Sequence, residues 1–158
     1  SDWGLWCVSC CILHELGHFT AFALVGSRPK ELWLEAGGMR IVPAAGLLSP
    51  GKEAFVLCGG CLVNLLSAGL LFLLSCPRAA GFHLFLGIFN LFPLKSLDGG
   101  RLLALLLEQK APSAGASISS GAHWLCAALF GALGLGVLKM TGNFTLLLTL
   151  FCLLFQEK

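Results

Sequence analysis

Residues 54–76, AFVLCGGCLVNLLSAGLLFLLSC, hold no charged side chain, and their reading decides the class of fold. A helix that crosses the hydrocarbon core of a bilayer needs about 20 apolar residues, and this run supplies them. The rest of the chain agrees. Of 158 residues, 57% are hydrophobic, and with the 20 glycines the apolar share reaches about 70%, against the 45–50% of a soluble domain. Asp, Glu, Lys and Arg make 11%, too few to cover the surface of a soluble fold of this length. A soluble enzyme, a nucleic-acid binder and a disordered chain are excluded, and the net charge of +2 forms no phosphate-binding stripe. The expected fold class is an all-α polytopic membrane protein built as one domain over 1–158.

Working outward from 54–76, four further spans are expected: about 3–26, 82–107, 121–140 and 142–156. The segment 27–53 between the first two reads differently. Leu32–Leu34 and Met39–Val42 are short β-prone runs around Ala36-Gly37-Gly38, a turn signal that suggests a small β-hairpin. Residues 111–121, APSAGASISSG, read as a flexible connector. Arg28, Lys30, Arg40 and Lys52 place the 27–53 loop, and with it the C-terminus, on the cytoplasmic side of what is expected to be a bacterial cell membrane. Ser1 then lies outside, as it would if one further span preceded it. Opening without Met, the chain reads as a fragment or a processed form. The cysteines at 7, 10, 11, 58, 61, 126 and 152 lie in apolar runs and read as small packing residues rather than as a disulfide framework.

Two spans have polar centres. In the first, His14-Glu15-Leu16-Gly17-His18 puts three ionisable groups within five positions of a membrane helix, where each is costly and points to function. At 3.6 residues per turn, His14 and His18 share one helix face and can hold one Zn²⁺, with Glu15 beside the metal as general base. The competing reading is a pair of core histidines with a Glu partner. A catalytic zinc needs a third protein ligand and an open position for water. Asp98 is the one other acid deep within an expected span. If both spans enter from the outside, His18 lies roughly 22 Å deep and Asp98 roughly 24 Å at the helical rise. Pro93 on one side and Gly99-Gly100 on the other are expected to break the helix around Asp98, and irregular backbone at membrane depth is tolerated where it lines a cavity.

These residues resemble a known family. His14-Glu15-x-x-His18 on one span, followed by Asn90-Leu91-Phe92-Pro93-Leu94-Lys95-Ser96-Leu97-Asp98-Gly99 on another, is similar to the paired motifs of the site-2 protease family of intramembrane zinc metalloproteases. Gly59-Gly60-Cys61-Leu62-Val63-Asn64 resembles the family's G-P-x-x-N, with Cys61 where proline is usual. Lys95-Ser96 also departs from the family, which often carries proline just before L-D-G. The likeness covers roughly residues 5–107. It is closest to the short branch without a PDZ domain, typified by the sporulation stage IV protein FB. The resemblance implies His14, His18 and Asp98 as ligands of one Zn²⁺, Glu15 as catalytic base, and Asn90 and Asn64 as residues that position the substrate. His83 and His123, near span ends, read as interfacial histidines.

The expected function is therefore hydrolysis of a peptide bond in a membrane-anchored protein substrate, with zinc-activated water and Glu15 as base. Substrate made extended for attack is expected to pair with the edge of the 32–42 hairpin. The partners implied are that substrate, the lipid bilayer and a membrane-protein inhibitor or regulator, with no nucleic acid. The alternative is a zinc-binding membrane protein, inactive protease or transporter, without turnover; an intact Glu15 favours the enzyme.

Overall fold

The computed structural model describes residues 3–27, 29–35, 38–43 and 48–155. In chain order the elements are α1 (Trp3–Leu24), β1 (Pro29–Glu35), β2 (Gly38–Pro43), α2 (Pro50–Leu73), α3 (Pro77–Phe89), α4 (Asp98–Lys110), α5 (Gly115–Thr141) and α6 (Thr145–Phe155). The two strands pair in a two-stranded sheet. Expectations that fall on residues 1–2, 28, 36–37, 44–47 and 156–158, including the placement of Ser1 and the turn at Ala36-Gly37, lie outside the described residues.

Among the described residues, three helices are long and apolar enough to cross a membrane: α1 with 22 residues, α2 with 24 and α5 with 27. At 1.5 Å per residue they run about 33, 36 and 40 Å, against a hydrocarbon core of about 30 Å. Their outward faces carry large apolar side chains, among them Leu66, Leu70, Phe72 and Leu73 on α2 and Leu129, Leu133 and Met140 on α5. That surface is what a lipid-facing helix presents and what a water-facing helix avoids.

The five spans expected from the sequence, one of them broken around Asp98, reduce to these three among the described residues. The expected span 82–107 is two 13-residue helices, α3 and α4, with a non-helical segment between them. The uniform helical rise assumed from Phe82 to Asp98 stops at Phe89. The expected span 142–156 is the 11-residue α6, which reaches about 16 Å and falls short of the hydrocarbon thickness. The connector expected at 111–121 is also shorter, because α5 begins at Gly115. Its Ala and Ser residues are compatible with helix, and Gly115 is needed where the backbone passes the Leu107 carbonyl.

The helices group into two compact units, one carried by α1, α2 and α3, the other by α4, α5 and α6. In the first, α2 ends in a Schellman turn. The Cys76 N–H donates to the Leu71 carbonyl at 2.9 Å and the Ser75 N–H to the Phe72 carbonyl at 3.1 Å, with Ser75 in the left-handed region at φ 59°. Pro77 then opens α3, where its missing N–H costs nothing. This tight reversal lays α3 back along α2, and α1 packs against both. In the second unit, α5 packs against α4 and α6.

Candidate metal centre

Glycine lets α1 and α2 approach at backbone distance. A Cβ at Gly17 would lie 2.5 Å from the Gly59 carbonyl oxygen, and one at Gly59 would lie 2.7 Å from the Gly17 carbonyl oxygen. Two helices in that register bring the residue after Gly59 against the imidazoles of α1. A Cβ at Gly60 would sit 2.5 Å from His18 Nε2 and 2.7 Å from His14 Nε2. Gly60 is thus the floor of the site, and its missing side chain is the space the two rings occupy. One turn further along α2, on the same face, stands Asn64.

His14 and His18 are buried, at 6% and 7% exposure, and their Nε2 atoms are 3.2 Å apart. Two ligands 2.0–2.1 Å from a tetrahedral zinc are separated by about 3.3 Å, so this spacing already matches a ligand pair. The tautomers follow from one fixed end. His18 Nδ1 lies 2.8 Å from the Val56 carbonyl, which can only accept, so Nδ1 carries the proton and Nε2 the lone pair. His14 Nε2–H therefore donates to His18 Nε2, and His14 Nδ1 accepts from Asn64 Nδ2 at 3.1 Å. On its other side Asn64 Oδ1 accepts from His83 Nδ1–H at 3.0 Å. A ring nitrogen anchored to a backbone carbonyl, with the other directed at the site, is the usual support of a metal-bound histidine.

Glu15 follows His14 on α1, half-buried, with Oε2 shielded from solvent. Asn90 caps α3, where its Nδ2 donates to the Leu86 carbonyl at 3.1 Å. Asn64, expected beside the substrate, has no exposed surface and is engaged by His14 and His83.

Asp98 is the first residue of α4 and half-buried. A carboxylate in a first helical turn is stabilised by the positive end of the helix dipole. Gly99 and Gly100 do not break the chain here, as the sequence suggested; they are buried inside the first turn of α4. The break lies wholly before Asp98, at 90–97, around Pro93. Gly100 is required because any Cβ there would collide with the Leu94 carbonyl. Leu94 and Leu97, at 1% and 3% exposure, are packed under the turn. His14, His18 and Asp98 form a group that could hold a metal ion. Two imidazoles and a carboxylate are a donor set that suits zinc.

Two further histidines are packed inside the protein. His83 and His123, expected at the interface, are buried at 3% and 1% exposure. In the second unit, His123 Nδ1 accepts from the Lys95 backbone N–H at 3.3 Å. The segment around Pro93 has few helical bonds of its own, and its buried N–H groups must find acceptors elsewhere. For His83 and for the floor at Gly60, the signal lay in which face of α3 and α2 each occupies, and that depends on packing. Compared with protein-family models and with curated protein sequences, the chain matches none.

Proposed function

We propose that the chain is an intramembrane zinc metalloendopeptidase of the site-2 protease kind, which cleaves a membrane-anchored protein substrate. The observation that carries this reading is the buried pair of Nε2 atoms 3.2 Å apart on α1, with Glu15 between them in sequence. Hydrolysis needs a general base beside the metal, and Glu15 is a carboxylate available for that role. In this reading His14, His18 and Asp98 hold one Zn²⁺. A zinc ion held there would supply Lewis-acid chemistry toward water and a peptide carbonyl. Glu15 takes up the proton of the attacking water and returns it to the leaving amine. Asn90, at the break between α3 and α4, positions the substrate backbone.

In the bilayer, α1, α2 and α5 span, and the irregular backbone at 90–97 admits water. The Lys and Arg residues of 27–53 hold that loop on the cytoplasmic side. A substrate helix keeps its carbonyls hydrogen-bonded and must become extended before attack; the edge of the β1–β2 sheet offers it strand pairing. The partners are the anchored substrate and a membrane protein that restrains cleavage.

The test is cleavage of anchored candidate substrates by the full chain reconstituted in liposomes, beside Glu15→Gln. Wild type is expected to release a cut product, and Glu15→Gln to release none while binding as much zinc as wild type. Equal cleavage by both proteins would remove Glu15 from the chemistry and overturn the reading.

A further inference from the structure

His83 belongs to no part of the proposed chemistry, yet it is buried and bonded to the residue that touches His14. The direction of that chain of bonds is set by the Val56 carbonyl, as derived above: His14 carries its proton on Nε2, Asn64 donates to His14 Nδ1, and His83 Nδ1–H donates to Asn64 Oδ1. In this arrangement His14 Nε2 has no lone pair to give a metal. For His14 to serve as a ligand through Nε2, its proton must stand on Nδ1, which then needs an acceptor. Asn64 is the polar side chain in hydrogen-bond contact with Nδ1, and in its present orientation it offers an N–H there.

We propose that His83 is a positioning residue that acts through Asn64 to set the tautomer of His14, and so prepares the site for its metal. This rests on the zinc-site reading above. The Asn64 amide turns over, so that Oδ1 accepts from His14 Nδ1–H and Nδ2 donates to His83 Nδ1. His83 then carries its proton on Nε2. Each neutral ring keeps one proton, the amide keeps two, and no net charge moves; only the direction of the relay reverses. An amide buried at 0% exposure can take the reversed orientation only if its partner on the far side can change from donor to acceptor. Imidazole does this by changing tautomer, and a lysine, arginine or carboxylate at 83 could not. Position 83 therefore needs a side chain that can both donate and accept, as histidine can.

The test is zinc affinity of the full chain in nanodiscs, measured by competition with a chelator, for wild type, His83→Leu and His83→Gln. Removing a hydrogen-bond partner behind a metal-bound histidine weakens metal binding by roughly 10- to 100-fold, and His83→Leu is expected to fall in that range. Gln can donate or accept, so His83→Gln should keep affinity closer to wild type than the roughly 10-fold loss at the mild end of such effects. Leu and Gln variants both near wild type would overturn the relay, and so would both being equally weak, which indicates packing alone. If His83→Leu does not fold, Asn64→Asp decides. A carboxylate accepts from His14 Nδ1–H with either oxygen, so zinc should bind at least as tightly as in wild type; loss of zinc would contradict the relay. Failure of the wild-type chain to bind zinc would sink the metalloprotease reading itself, a different result from zinc bound with no dependence on position 83.

Discussion

Glycine lines two helix contacts in this chain, and they do different work. Between α1 and α2, Gly17, Gly59 and Gly60 face backbone carbonyls and imidazole nitrogens. Between α5 and α6, a Cβ added at Gly134 would lie 2.7 and 2.9 Å from Leu147 Cδ2 and Cγ, and one at Gly131 would lie 3.7 Å from Leu150 Cδ2. A leucine tip can turn aside, whereas a backbone carbonyl cannot, and an imidazole that turns aside leaves its place in the site. Small residues at membrane helix contacts are ordinary packing devices. What distinguishes the first contact is that the atoms opposite are fixed by their own hydrogen bonds. A glycine pair in an apolar run is therefore informative only once its opposite face is known.

The comparison can be broken by adding one methyl at a time. Gly60→Ala is expected to have the largest effect. Its Cβ would compete with both Nε2 atoms, and an overpacking cost near 3 kcal/mol corresponds to roughly 100-fold weaker zinc binding. Zinc titration of the folded variant measures this, and affinity within 3-fold of wild type would show that Gly60 is not the floor of the site. Gly17→Ala comes next. Its Cβ meets backbone, so the helices must part, and about 2 kcal/mol of stability should be lost. Denaturant unfolding in detergent reads that loss, and zinc binding should weaken with it because His14 and His18 ride on the same helix. Gly134→Ala is the mildest: Leu147 can rotate away, stability should change by about 1 kcal/mol or less, and zinc affinity should not move. A zinc effect at position 134 as large as that at 60 would erase the distinction between the two contacts.

How much could be read from the sequence follows the same division. The spacing of His14 and His18 puts them on one face by helical period alone, and the structure keeps them there. The break ahead of Asp98 was legible because proline cannot continue a helix. Gly99-Gly100 misled because glycine serves two purposes. It can end a helix or permit a close approach, and Gly100 beside the Leu94 carbonyl does the second. Span lengths were overread at 82–107 and 142–156, since an apolar run shows hydropathy but not where its helix stops. His83 was illegible for a further reason: its partner Asn64 is 19 positions away on another helix, brought opposite by the left-handed turn at Ser75. No local pattern encodes that meeting.

The central claim, that the buried imidazole pair on α1 is a zinc centre, is tested most directly by X-ray absorption at the zinc edge of the full chain carrying one equivalent of the metal. Eight cysteines in the sequence make the outcome decisive, because thiolate and imidazole ligands scatter differently. The expected spectrum shows two imidazoles, with all first neighbours nitrogen or oxygen at about 2.0–2.1 Å, and loss of the imidazole signature in His14→Ala. A shell of sulfur at about 2.3 Å, or a spectrum that His14→Ala leaves unchanged, would contradict it.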